Sequence, residues 1–165
     1  MSLIELMLEQ LAVARSSIED GHEVVPAWRI ATPDGSYLVL TRFDPAKPDQ
    51  LQRLLGLISR FMAWKMATSF VFVAETWLAP HRSGGEALSC VGASHTEQLA
   101  FLQRIRRADG SDVEFGATER LHPNQIDPTY FRLLPKGASA VTAEEAAELV
   151  AVFGVDGEMP AQVLS

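Results

Sequence analysis

Residues 70–74 read Phe-Val-Phe-Val-Ala, five apolar side chains in succession with no polar residue on either parity. Successive side chains of a strand point to opposite faces, so this run is apolar on both and needs cover on both. The chain is therefore obliged to build a central strand with material above and below it. The expected extent of this third strand is Ser69 to Leu78, Ser-Phe-Val-Phe-Val-Ala-Glu-Thr-Trp-Leu.

The segments on either side supply candidates for that cover. Ser2 and Glu5 have capping-box spacing ahead of Leu6, Met7, Leu11, Ala14 and Ile18, and Gly21 stands where a helix would stop, which predicts a helix over 3–19. From Val24 to Phe43 the pattern changes to alternating β-branched and aromatic residues interrupted by Pro33-Asp34-Gly35, a hairpin whose first arm, opened by Pro26, suits a sheet edge. Asp49 with Gln52, then Leu51, Leu54, Leu55, Ile58, Phe61 and Met62, predicts an amphipathic helix over 50–66.

Beyond the third strand, Ala87–Ala93 is a strand of small residues. Residues 98–107 fit a helix capped by Thr96 and also fit strand alternation through Leu99, Phe101 and Ile105. The Asp109-Gly110 turn before Val113, Phe115 and Ala117 favours a two-stranded hairpin. Residues 121–140 hold three prolines and read as loop with one short strand at Tyr130–Leu134. Thr142 with Glu145 opens a last helix carrying Ala146, Leu149, Val150 and Phe153, and Gly154 closes it. The expected fold class is α+β, a mainly antiparallel sheet of five to seven strands packed with three helices in the order α-β-β-α-β-β-β-β-α. At 165 residues this makes one domain, residues 1–154, with 155–165 as a loose tail.

Composition excludes more than it selects. The 14 basic and 21 acidic residues give −7, yet the first 136 residues carry only −2, because no basic residue follows Lys136. The excess acid, Glu144, Glu145, Glu148, Asp156 and Glu158, lies on the last helix and tail, where a solvated face is expected. The one basic run, Arg104, Arg106 and Arg107, has no interleaved aromatic residues, so nucleic acid is not an expected partner. A single cysteine, Cys90, forbids an internal disulfide and a multi-cysteine zinc knuckle and suits a reducing compartment. With no basic N-terminal run and no apolar stretch of 18 residues, a cytoplasmic protein without membrane contact is expected.

The strand ending Glu75-Thr76-Trp77, then Arg82 and Glu86 opening antiparallel strands with an Asp-Gly turn, resembles a loose group of small uncharacterised bacterial proteins over about residues 50–120. This chain departs from the pattern by holding Ser83-Gly84-Gly85 between the arginine and the glutamate. The resemblance implies no activity, only a strand over 98–107.

The reactive inventory is Cys90 with His22, His81, His95 and His122. His95-Thr96-Glu97 matches half of a zinc deaminase signature, but the Pro-Cys-x-x-Cys half cannot exist with one cysteine. The metalloprotease, nucleophile-elbow, phosphate-loop and dinucleotide motifs are all missing, so neither metal nor cofactor is expected. Cys90 could serve as a nucleophile with His95 or His81 as base, although a small thiol between Leu88 and Gly92 is more simply core. Glu75 shares strand parity with Val71, Val73 and Trp77, at the rim of an apolar strip. It is either an ion-pair partner for Arg82 or another arginine, or a general acid or base of raised pKa.

Two functions follow as expectations. One is a non-catalytic domain acting by self-association or partner binding, most simply as a homodimer whose second copy covers the open face of the third strand. The other is a small hydrolase or small-molecule-binding domain with its pocket at Glu75, Trp77, His81 and Arg82. A cleft with convergent polar groups at Glu75 would favour the second, a closed ion pair the first.

Overall fold

The computed structural model describes residues 2–42, 47–77, 85–107, 112–135, 142–153 and 162–163. In chain order the elements are α1 (Leu3–Glu19), β1 (Ala27–Thr32), β2 (Gly35–Arg42), α2 (Pro48–Trp64), β3 (Ser69–Trp77), β4 (Glu86–Ser94), β5 (Gln98–Arg107) and β6 (Val113–Leu121). A 3₁₀ turn at Pro123–Gln125, then α3 (Pro128–Phe131), α4 (Ala143–Phe153) and β7 (Gln162–Val163) complete it. The protein is α+β, as its pattern requires.

One sheet runs in the order β6-β5-β4-β3-β1-β2-β7, and its six long strands are all antiparallel. Within the segment expected as tail, Gln162 and Val163 pair parallel to Thr41 and Arg42. β3 is central, hydrogen-bonded to β4 along its whole length and to β1 from Ser69 to Val73. β1 is therefore interior and not an edge. Pro26 lies just outside it, and its carbonyl accepts from the Thr41 amide and hydroxyl, which a proline can do because it lacks only the donor. β6 pairs on one side only among the described residues. Its register slips between Gln103 and Ile105, a bulge of the kind that deters further strands from adding to an edge.

Both faces of β3 are covered within the chain. Val71 and Val73 join Leu88, Cys90, Leu99 and Phe101 beneath α1. Phe70 and Phe72 join Trp28, Ile30, Val91 and Ala100 beneath α2 and α4. This overturns the premise of the expected dimer, that three helices would cover one face and leave the other to a second copy. The tightest approach is at Gly92, where a Cβ would stand 2.6 Å from Met7 Sδ and 3.2 Å from Leu3 Cδ1. Only a residue without a side chain lets α1 lie this close to β4.

Local chemistry explains the element ends. Ser2 and Glu5 form the reciprocal capping box, and Thr142 with Glu145 repeats it at α4. α2 starts earlier than expected, with Pro48 in its first turn and no side-chain cap, so Asp49 sits inside the helix, where its charge suits the positive end. α2 stops at Met66, in the left-handed region at φ 55°, with the Ala67 amide donating back to Met62. Tyr130–Leu134 is not a strand. Asp127 accepts from the Thr129 amide and Pro128 presets the helical φ, which makes one short helical turn there. The acidic face of α4 is not simply solvated, since Arg60 of α2 meets Glu145 at 3.6 Å and Glu148 at 3.2 Å.

Candidate functional site: a groove beside the first helix

The residues expected to carry chemistry are not gathered together. His81, Arg82 and the side chain of Trp77 lie outside the described residues, as do the turn Asp109-Gly110 and Gly154. Glu75 lies on the α1 side near the end of β3 and is exposed, with Arg107 Nη2 at 3.5 Å from its Oε1. The same guanidinium donates from Nε to Glu86 at 2.6 Å. Partial burial raises the Glu75 pKa, Arg107 works against that, and the charges of Glu86 and Glu23 add to it. Among the described residues its arginine partner is Arg107.

Cys90 is fully buried at the middle of β4, its thiol directed to the Met7 carbonyl of α1 at 3.8 Å. Burial pushes the thiol pKa far up, the opposite of what a nucleophile needs. His95 is exposed at the tip of the β4–β5 turn, where Ser94 Oγ accepts the amides of Thr96 and Glu97. His22 and His122 are exposed in other connections, and no group of three metal-ligating side chains is found among the described residues.

The polar atoms left over point elsewhere. α1 rests mainly on β3 and β4, so the same face of β1 and β2 lies beside the helix instead of beneath it. On that face β1 presents Ala27, Arg29 and Ala31, opposite Leu40, Leu38 and Ser36 of β2. The result is a groove of about 210 Å³, walled by Val13 and Ala14 of α1, Val24 and Val25 of the connection, Leu38, Leu40 and Val73, with Ser17 and Glu23 also on its lining. Gln10 and Arg29 line it as well. A second hollow of about 380 Å³, lined by Leu3, Leu6, Ala31 and Ser36 among others, shares Arg29 as a wall, so this side chain stands between the two.

Gln10 occupies a position of the buried α1 stripe, three residues after Met7 and four before Ala14. Its side chain is 6% exposed, and its Nε2 is buried without a hydrogen-bond partner among the described residues. Arg29 Nε is in the same condition. The guanidinium donates from Nη1 to Ser36 Oγ at 3.4 Å, and no carboxylate among the described residues lies within ion-pair distance. An unpaired buried donor costs roughly 1–3 kcal/mol, more where it is charged. A third such donor, Trp28 Nε1, lies on the other face in the aromatic stack with Phe72 and Tyr130 and lines neither hollow.

Apolar walls with two unfilled donors can bind and orient a molecule that carries a hydrogen-bond acceptor. No thiol, imidazole or paired carboxylate–imidazole set lines the groove to do more. Sequence patterning passed over both donors, although the glutamine carried a signal by standing on the apolar stripe of a helix; the arginine lies between Trp28 and Ile30 in a strand that the pattern put at a sheet edge and the structure puts inside.

The chain matches no protein-family model, no curated protein and no solved structure.

Proposed function

We propose that this protein is a non-catalytic binding domain and that the groove between α1 and the β1–β2 hairpin is its binding face. The observation that carries this reading is that Gln10 and Arg29 line one apolar groove and that each holds a buried donor, Nε2 and Nε, with no acceptor among the described residues. Native interiors leave few such groups unpaired, and those that persist call for a function or a partner. The reading keeps the non-catalytic expectation and moves the pocket from the exit of β3 to the flank of the sheet. A hydrolase at Glu75 is less favoured, because that carboxylate already shares Arg107 with Glu86 in an exposed ion pair.

A homodimer loses its main support, since α1 and α2 cover the two faces of β3 and the β6 edge carries a bulge. We place the protein in a reducing compartment, on the single buried Cys90. No helix among the described residues is long and apolar enough to cross a membrane.

The test is amide and methyl chemical-shift mapping of the full chain titrated with neutral apolar probes, octan-1-ol and toluene. Saturable shifts centred on Val13, Val24, Leu38 and Leu40, lost in Leu38→Trp, are expected. Shifts scattered over the surface, or unaffected by the groove-filling tryptophan, would remove the assignment of this face.

A further inference from the structure

We propose that the groove takes a small apolar monocarboxylic acid, its carboxylate held between Arg29 and Gln10 and its hydrocarbon body lying on Val13, Val24, Leu38 and Leu40. This rests on the binding reading above and deepens it by naming the ligand class. Both orphan groups are donors, an Nε–H and an NH₂, so the missing group is an acceptor. One of them belongs to a guanidinium that has no carboxylate within ion-pair distance among the described residues, and an anionic acceptor makes a hydrogen bond roughly twice as strong as a neutral one. A planar carboxylate, with two oxygens, can serve the guanidinium edge and the amide together.

Acidic side chains on the border favour an anion of low charge. Glu23 is part of the lining, and Glu75 follows two residues after Val73 on the same face of β3. A phosphate or a dicarboxylate would bring further negative charge toward these two. The walls are aliphatic, Val, Ala and Leu, with no aromatic ring to stack a base or an indole. At about 210 Å³ the groove is smaller than the roughly 300–1,000 Å³ of drug-sized sites, which fits one short chain and not a two-chain lipid. The carboxylate at a peptide C-terminus has the same head group on a much larger body.

The experiment measures octanoate and octan-1-ol, which share the chain and differ in the head, against the full chain by calorimetry and chemical-shift mapping. Wild type is expected to prefer octanoate by about tenfold or more, with shifts at the Arg29 and Gln10 side-chain resonances. Arg29→Met, which keeps an apolar stem and removes the donors, is expected to bring that ratio to about one while octan-1-ol binding is kept. Denaturant unfolding of each variant verifies that it is folded. Equal binding of acid and alcohol to wild type would overturn the acid assignment and leave the groove as an apolar site. Binding of neither would overturn both readings. Inorganic phosphate displacing octanoate, or a peptide with a free apolar C-terminus binding more tightly than octanoate by tenfold or more, would overturn the small monocarboxylate in favour of a polyanion or a peptide.

Discussion

Gln10 and Gln103 are equally buried, at 6% exposure each, and both lie at the interface between α1 and the sheet, yet their amides have opposite fates. On the β5 flank, Gln103 Oε1 accepts from Arg15 Nη1 at 2.9 Å and its Nε2 donates to the Gly116 carbonyl at 2.8 Å, so helix, strand and edge strand are joined through one side chain. On the β1 flank, the Gln10 Nε2 finds nothing among the described residues. Met7 and Leu3 settle closely on Gly92 where the layer is closed, whereas Leu38 and Leu40 stay half-buried where it is open. One helix over one sheet thus has a finished side and an unfinished side, and a buried polar group locates the unfinished one.

The largest effect should separate the two flanks by packing alone. Met7→Ala removes a fully buried side chain from the closed flank and is expected to cost about 2–5 kcal/mol, the range for large-to-small changes in a core. Leu38→Ala on the open flank should cost about 1 kcal/mol, since that side chain is partly hydrated in the folded state. Urea unfolding with matching m-values measures both. Equal costs would mean that the open flank is packed after all.

Gly92→Val attacks the close approach directly. Its side chain would grow into Met7 and Leu3, and because Met7 can partly turn away, a loss of about 1–3 kcal/mol is expected. A neutral result would show that α1 stands further from β4.

The glutamines give the sharpest sign. Gln103→Leu strands the Gly116 carbonyl and Arg15 and should destabilise by about 1–3 kcal/mol. Gln10→Leu deletes a donor that has no partner among the described residues and should be neutral or stabilising by up to about 1 kcal/mol. A loss at Gln10 comparable to that at Gln103 would reveal an acceptor for its amide and dissolve the contrast.

Much of the frame was legible because it is written in periodicity and caps. Ser2 and Glu5 fix the start of α1, and the two-sided apolar run fixes β3 at the centre, though not that this chain's own helices cover both its faces. What could not be read is where α1 comes to rest across the sheet. An amphipathic stripe says which side of a helix is buried but not which strands lie beneath it, so nothing in the spacing showed that β1 and β2 would be left beside the helix. The candidate site depends on that offset, whereas Glu75 and Cys90 are conspicuous in the sequence only as residue types. Proline and Asp-cap chemistry at Asp127-Pro128 also outweighed the aromatic and apolar composition that suggests a strand at Tyr130–Leu134.

The smallest effect belongs to Glu75, whose ion pair sits outside both flanks. A buried pair would make Glu75→Ala cost about 3–5 kcal/mol. Here the two side chains are 36% and 47% exposed, and Arg107 keeps Glu86 at 2.6 Å when Glu75 is removed. Solvent screening then holds the loss within about 1 kcal/mol. The pH dependence carries a definite sign. Burial raises this carboxyl above its ordinary 4.5, so the folded state holds the proton more tightly than the unfolded state does, and this group's contribution to stability falls as pH rises from that value through the folded pKa. Glu5, Asp127 and Glu145, whose pKa values are lowered by the amides and hydroxyls of Ser2, Thr129 and Thr142, contribute in the opposite direction, gaining as pH rises. Glu75→Gln should therefore fall less, or gain more, in stability than wild type across that window, because this opposing group is gone. Unfolding curves of both proteins at pH values on either side of the window measure the difference, and a variant that gains less than wild type would mean that Arg107 outweighs burial at this carboxylate.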